Sequence, residues 1–392
     1  MEANHTHLKI AQVIDVFEDA LNGGGISTQR FTKLLRQHGH RVIVIANGKD
    51  TKDKVALRSY YPPIPFTKRI LERMKFVFAQ PDEAKIEKVL EQVDIVHNQF
   101  PLWLGMATVR IANKLNKPLV STFHVQGEQI MHNGGLTHPF WTRLIYRYFV
   151  KYIYNKSDIV ICPSKFAEQE IKRYGLTRPT VVISNGITSD YKKLDLPNRY
   201  PDKFTILTVG RNAAEKRQEM IIRAIAASKF RDNIQLVILG DGPQRNVLVR
   251  LSNDLLDGTV EFNLVTQEKM IEYYNSTDLY VHTAAIEVEC MTALEAMACG
   301  LPLLIADSPL SATKQFALNE RYLFGSQAEL TEKIDYLYTH REELKQAGEQ
   351  YHILSGQYSI QDSYEKLIET YRKVLKMHEI TTPAEQAVLQ EA

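Results

Sequence analysis

Twice along this chain the same rhythm appears: a short run of Val, Ile, Leu and Ala, a break at glycine or polar residues, then an amphipathic stretch. Runs of four to seven apolar residues that do not alternate with polar ones suit strands buried on both faces, and such strands belong to parallel sheets covered by helices. The first series places strands at 9–15, 41–46, 94–97, 118–122, 158–162 and 180–183, with a glycine-rich turn at Gly23, Gly24 and Gly25 and helices at about 26–38 and 106–115. The second places strands at 204–210, 235–240, 259–262, 279–283 and 302–306, with helices at 219–228, 243–255, 269–275 and 292–299. A polar stretch at 189–203, with Pro197 and Pro201, reads as the linker between them.

The expected architecture is therefore α/β, with two doubly wound, Rossmann-like parallel-sheet domains facing across a cleft. Residues 1–188 form the first domain and 189–357 the second. A helix at 358–380 carries Tyr364, Leu367, Ile368, Tyr371 and Leu375 on one face and is expected to pack back on the first domain. Residues after 381 read as a frayed end. In open α/β sheets ligands bind beyond the carboxyl ends of the strands, so each domain is expected to offer one side of a site.

Three cysteines, Cys162, Cys290 and Cys299, make neither a disulfide framework nor a C-x-x-C zinc pair. The start of the chain lacks a secretory pattern, and no apolar run reaches the ~18 residues that span a bilayer. A cytoplasmic protein, at most peripheral on the inner face of the membrane, is expected. Net charge is +2, but residues 1–190 hold 26 Lys and Arg against 17 Asp and Glu, so the front half is basic and the rest acidic. A basic half points to an anionic partner. No nucleic-acid-binding motif is present, so that partner is not expected to be DNA or RNA.

Chemistry concentrates in 283–307, TAAIEVECMTALEAMACGLPLLIAD. Glu287 precedes the helix at a strand's carboxyl end, and the helix start from Glu289 to Thr292 offers backbone N–H groups to a phosphate. Glu295 sits among Met291, Ala293, Leu294, Ala296, Met297 and Ala298, so it is not simply a solvated charge. Arg211 and Lys216 follow the first strand of the second domain, where a ligand would lie. No D-x-D metal motif is found.

This segment resembles the E-x7-E signature of glycosyltransferase family 4, the retaining family with the GT-B fold. Four further stretches resemble the family's motifs in order and spacing: Gly23-Gly24-Gly25-Ile26-Ser27, Val182-Ile183-Ser184-Asn185-Gly186-Ile187, Val209-Gly210-Arg211 with Glu215-Lys216-Arg217-Gln218, and Leu239-Gly240-Asp241-Gly242-Pro243. The resemblance covers nearly the whole chain. It implies that Glu287 binds donor-sugar hydroxyls, Glu295 the ribose, and Arg211 and Lys216 the diphosphate, with Gly24, Gly25, Gly240, Cys290, Met291 and Thr292 lining the donor. It makes His124, after Ser-Thr-Phe, a catalytic candidate with Glu287, Arg211 and Lys216, and His97 a weaker one; Glu128 lies near it in sequence. It also implies no metal and no cofactor, with the nucleotide diphosphate sugar, commonly a uridine one, as a substrate. The chain departs from the family where Val288, Glu289 and Cys290 stand in place of a glycine, and where Asn263, Leu264 and Val265 follow the strand at 259–262.

The implied reaction is transfer of a hexose, with retention, to a sugar or lipid acceptor. Some family members glucosylate diacylglycerol; a cell-envelope glycan precursor is the other candidate. The basic, aromatic-rich segments 139–156, with Arg143, Arg147, Lys151 and Lys156, and 60–78, with Lys68, Arg69, Arg73 and Lys75, suit an anionic membrane surface. Two other readings share the fold: a nucleotide-sugar epimerase and a non-catalytic partner protein. The two glutamates with Arg211 and Lys216 disfavour both.

Overall fold

The computed structural model describes residues 7–18, 22–63, 67–73, 76–133 and 138–380. Lys75, the side chain of Arg73 and the segment from Thr381 onward, all singled out above, lie outside the described residues. The chain divides into two units: Met1–Ser184 together with Gln361–Ala392, and Asn185–Ile360.

In the first unit seven strands form one parallel sheet: β1 (Lys9–Val13), β2 (Arg41–Asn47), β3 (Lys54–Leu57), β4 (Ile95–Asn98), β5 (Leu119–Thr122), β6 (Ile159–Cys162) and β7 (Thr180–Val182). Their order is β3-β2-β1-β4-β5-β6-β7. The order reverses direction at β1, and this is the switch point at which ligands enter such sheets. Helix α1 (Gly23–Gln37) follows β1. Its three glycines do not form a loop ahead of the helix, as the sequence suggests, but are its first turn. The Asn22 side chain caps them by accepting the Gly25 N–H at 2.8 Å, which offsets the weak helix propensity of glycine. Helix α2 (Pro139–Tyr152) starts with proline at its first position, where no backbone donor is lost.

The second unit repeats the plan with six parallel strands: β8 (Phe204–Val209), β9 (Ile234–Leu239), β10 (Glu261–Asn263), β11 (Leu279–His282), β12 (Leu303–Ala306) and β13 (Leu323–Phe324), in the order β10-β9-β8-β11-β12-β13. Every residue of β8 and of β11 is buried. Helix α3 (Met291–Ala298) is buried on almost all sides, so its apolar run is core and its glutamate has been placed inside. The stretch 189–203 is not a free linker. Tyr191 is in this unit's core, the Leu194 N–H donates to the Asn275 side chain at 2.6 Å, and Asn198 and Thr205 anchor on Asp278. Its prolines stop regular structure without preventing packing.

The last helix, α4 (Ile360–Ile380), returns to the first unit. Tyr364, Leu367, Ile368, Tyr371, Val374 and Leu375 form one core cluster with Leu8, Ile10, Val42, Ile95, Val120 and Ile161 of the sheet. Apolar area removed from water at roughly 25 cal/mol per Å² makes such a face worth several side chains of about 1.5–3 kcal/mol each. No described helix is long and apolar enough to cross a membrane.

Candidate active site

In the second unit the carboxyl ends of β8, β9 and β11 bring three glycine-bearing or charged loops together. Gly210 (φ +150°) and Gly240 (φ +141°) end β8 and β9, and a Cβ on Gly240 would lie 2.0 Å from the Gly210 carbonyl oxygen. Gly242 (φ +159°) approaches the Asn212 backbone in the same way, at 2.5 Å. Glycine is required at Gly240 by both its backbone angle and this contact.

The loop after β8 is then pinned to the loop after β11. The Arg217 guanidinium donates to the Thr283 carbonyl at 2.9 Å, the Thr283 hydroxyl to the Lys216 carbonyl at 2.6 Å, and the Ala285 N–H to the Glu215 carbonyl at 2.9 Å. Arg217 itself turns in the left-handed region at φ 49°. These bonds bring the Lys216 ammonium onto the Glu287 carboxylate, while Arg211 is held by Glu215 at 2.6 Å. Burial pushes the Glu287 carboxyl up, and the Lys216 charge works against it. Burial pulls the Lys216 ammonium down, but Glu287 and the neighbouring anionic groups more than offset this, so Lys216 stays charged. Charges in a poorly solvated site act on one another far more strongly than in water.

Behind this pair lie His282 and Cys290. His282 is held neutral, first by burial and then by the positive charges of Lys216 and Arg217. Its Nε2 faces Glu287 at 3.6 Å and its Nδ1 faces the Cys290 sulfur at 3.6 Å. The ligand atoms of His282, Glu287 and Cys290 lie within 4.8 Å of one another, the spacing of a metal site. An ion there would have to displace Lys216 from Glu287, and burial pushes the Cys290 thiol up to about 12, away from the thiolate a metal needs.

Other residues named from the sequence are engaged in the protein. Cys290 is the cap residue of α3 and its sulfur contacts the Thr292 hydroxyl at 3.3 Å. Thr292 shares a 2.8 Å hydrogen bond with the Tyr280 hydroxyl. Met291 is buried at the first turn, and Glu295 accepts from the buried Tyr274 hydroxyl at 3.2 Å. Glu289 ties down the start of the second unit. Both the backbone and side-chain N–H groups of Asn185 donate to it, at 2.8 and 2.7 Å.

In the first unit Gly24 packs against His124. A Cβ there would meet the Phe100 ring at 2.8 Å and the His124 Cβ at 3.0 Å. His124 is buried and its pKa is lowered to about 4 by desolvation, so it is neutral at physiological pH. It stands at one end of a buried hydrogen-bond chain. His124 Nε2 donates to Gln99 (3.0 Å), Gln99 to Gln12 (2.6 Å) and Gln12 to the Tyr371 hydroxyl (3.4 Å), while His97 lies with Nδ1 2.7 Å from that hydroxyl and Nε2 2.6 Å from the Thr122 hydroxyl. Donation to the Gln99 amide oxygen puts the His124 proton on Nε2 and leaves its Nδ1 as an acceptor. His97, with its pKa lowered to about 3 by burial first and then by His124, is thus a buried relay partner. Glu128 accepts from the buried Tyr146 hydroxyl at 2.8 Å.

The sequence reading missed Gln12, Gln99, His282 and Asp15, and read Tyr371 only as part of a packing face. A polar residue inside an apolar strand, as Gln12 is in KIAQV, was the available signal. Asp15 is fully buried beyond β1; it accepts the Ala79 N–H at 3.0 Å, and its second oxygen lacks a partner among the described residues. Burial raises its pKa from 3.8 to about 7. The folded protein holds this proton to a higher pH than the unfolded chain. Stability is therefore lost as pH rises from about 4 to 7 and is level above. Asp15→Asn is expected to stabilise the protein at pH 8 by about 2–4 kcal/mol and to have little effect at pH 4. Denaturant melts at the two pH values check this; an equal effect at both would rule out the raised pKa.

Two family models together match most of the chain. Residues 21–191 match the model described as Glycosyltransferase Family 4, and residues 193–352 the model described as Glycosyl transferases group 1. The chain belongs to glycosyltransferase family 4. It is similar to an alpha-monoglucosyldiacylglycerol synthase of Streptococcus pneumoniae (25% identical over 326 residues, 77% of this chain and 72% of that protein). It is also similar to a GDP-mannose-dependent alpha-mannosyltransferase of Corynebacterium glutamicum (25% over 321 residues, 76% and 72%). Among solved structures, Anabaena HepE in complex with UDP and glucose has the same fold, with a TM-score of 0.76 at 17% identity over 94% of this chain and 100% of that one. This glycosyltransferase therefore has the GT-B fold and uses a nucleotide-sugar donor. The Lys216–Glu287 pair lies beside Gly210, whose Cβ position is 3.9 Å from the Lys216 Cε.

Proposed function

We propose that this glycosyltransferase moves a hexose from a nucleoside diphosphate sugar, a uridine one in the first instance, to a membrane lipid such as diacylglycerol, with retention at the anomeric carbon and without a metal. The observation that carries the donor half is the buried ion pair of Lys216 and Glu287 beside Arg211. When the sugar–phosphate bond breaks, negative charge builds on the departing diphosphate. Lys216 and Arg211 supply fixed positive charge where that develops, which is the largest contribution such sites make. Lys216 would leave Glu287 for the diphosphate, and the freed carboxylate would accept hydrogen bonds from sugar hydroxyls. Glu295 is assigned to the ribose. His124, being neutral, contributes a hydrogen bond rather than a charge.

The acceptor half is supported by the similarity to a lipid glucosyltransferase and by the basic, aromatic α2. A cell-envelope glycan precursor is the alternative, and the similarity to mannosyltransferases makes a GDP-sugar the alternative donor.

Thermal stabilisation by a panel of nucleoside diphosphates and nucleotide sugars, with chelator present, tests the donor. A ligand at 100 times its Kd adds about 2.7 kcal/mol. A selective rise in Tm with one nucleotide is expected. No rise with any of them, or a rise only after a divalent ion is added, would overturn the metal-free donor site. Product analysis with diacylglycerol dispersed in detergent then tests the acceptor.

A further inference from the structure

Two primary amides stand where the first sheet would otherwise be apolar. Gln12 lies inside β1, between Ala11 and Val13, and Gln99 follows β4; both are buried. A buried amide costs free energy unless it is hydrogen-bonded, and apolar residues of similar shape at both places would avoid that cost. Here the amides satisfy each other and reach outward in opposite directions. The Gln99 oxygen takes the His124 Nε2–H, and the Gln12 amide N–H donates to Tyr371 on α4. Burial holds the Tyr371 hydroxyl in its protonated form. Gln12, Gln99 and Tyr371 are too deeply buried to meet a ligand themselves. The chain ends at His124, and among the described residues no hydrogen bond is made to His124 Nδ1. His97 is neutral as well, and Gly24 and Phe100, which pack on the His124 ring, carry no charge.

We propose that Gln99, braced from α4 by Tyr371 through Gln12, is a positioning residue for His124, and that the ring so fixed takes a hydrogen bond from a substrate hydroxyl at Nδ1. The proposal rests on the reading of His124 as part of the active site and adds what sets its state and what it binds. An amide oxygen only accepts, so it selects the imidazole with its proton on Nε2. Nδ1 is then an acceptor. An ionised phosphate offers it no proton, whereas a hydroxyl does. His124 therefore serves a hydroxyl of the hexose or of the acceptor, and the diphosphate is left to Lys216 and Arg211. The amide matters also because it is neutral. A carboxylate in its place would favour a second proton on the ring and turn Nδ1 into a donor.

Nitrogen NMR of the full chain labelled at histidine tests the first step, with His124→Gln identifying the signals. At neutral pH the wild-type ring should carry its proton on Nε2, and Gln99→Leu should release it to a mixture of both tautomers. A wild-type proton on Nδ1, or a ring unchanged by Gln99→Leu, overturns the proposal. Turnover tests the second step. Gln99→Leu should lose about ten- to a hundredfold in kcat, the scale of a slightly misplaced group, with little change in donor KM. Tyr371→Phe, two links further away, should lose less. Gln99→Glu separates positioning from packing. It keeps an oxygen on Nε2, and once the Gln12 amide turns over it keeps the other bonds of the chain. It also raises the His124 pKa from about 4 toward the ordinary 6.5 or above. Its turnover should be low below that raised pKa and return toward the wild type as pH rises through it, while Gln99→Leu stays low throughout. Thermal melts confirm that each variant is folded under assay conditions. Parallel losses in the Leu and Glu variants at every pH would reduce the chain to packing of α4 on the sheet and overturn the proposal. Normal turnover in Gln99→Leu beside an impaired His124→Gln sinks the positioning role alone. Normal turnover in His124→Gln sinks the reading of His124 and the proposal together. Donor hydrolysis without acceptor locates the hydroxyl: its loss in Gln99→Leu along with transfer supports one on the hexose, and loss of transfer alone supports one on the acceptor.

Discussion

Lys216→Ala is expected to lower kcat by about 10²–10³-fold at saturating donor, the size of effect seen when one fixed donor to a developing anion is removed. Its second effect is on the fold. Glu287 is almost wholly buried, and without Lys216 it becomes an unpaired charge, which costs about 3 kcal/mol or more when a buried pair is broken on one side. The two effects separate in a double variant. Lys216→Ala with Glu287→Gln removes the stranded charge, so Tm should return toward the wild type while turnover stays low. Stopped transfer assays and thermal melts on the three proteins decide the matter. Near-normal kcat in Lys216→Ala would remove this residue from the chemistry. A double variant recovering both stability and turnover would reduce the pair to a structural salt bridge.

Gly240→Ala should be the most damaging single methyl group in the second unit. The new Cβ would lie 2.0 Å from the Gly210 carbonyl oxygen, at a backbone angle of φ +141° that side chains rarely adopt. Both loops must part to admit it, and backbone cannot move as a side-chain tip can. A loss of about 3 kcal/mol or more in stability is expected, with nucleotide affinity falling at least about tenfold, because the nest loses its shape. Gly175→Ala is the matched control. It too has a positive φ (+91°), but nothing lies within 4 Å of its Cβ position, so backbone strain alone acts, about 1–2 kcal/mol. Urea melts and nucleotide titrations of both variants check this. Equal losses in the two would mean that the contact with Gly210 is unimportant.

Much of the architecture was legible because the strands are short apolar runs with punctuation. β8 and β9 end at Gly210 and Gly240, and the sequence marks both ends plainly. The helices Gln327–Thr339 and Arg341–Ser355 were not read, because few of their positions are buried: Leu330, Ile334 and Leu337 are the buried ones in the first of them. The edge strand Lys54–Leu57 was missed as well; it begins with a lysine and has only four residues. At the candidate site, the residue types near the donor were legible from motif spacing, but their connections were not. No local pattern says that Glu215 holds Arg211 or that Glu287 rests on Lys216. Still less does spacing reveal the chain from His124 to His97, which passes through Tyr371, 274 positions from His97 in sequence. Such pairings are set by tertiary packing.

The position of α4 has a consequence for the order in which the protein is made. A domain at the start of a chain ordinarily folds first, while the remainder is still being synthesised. Here the first unit is missing a wall of its core until after the second has emerged, whereas Asn185–Ile360 is contiguous and complete as soon as Ile360 leaves the ribosome. At 5–20 residues per second, translating the second unit takes roughly ten to thirty seconds. Throughout that interval the sheet surface of Leu8, Ile10, Val42 and Val120 waits uncovered, so the early part of the nascent chain is the part that needs a chaperone.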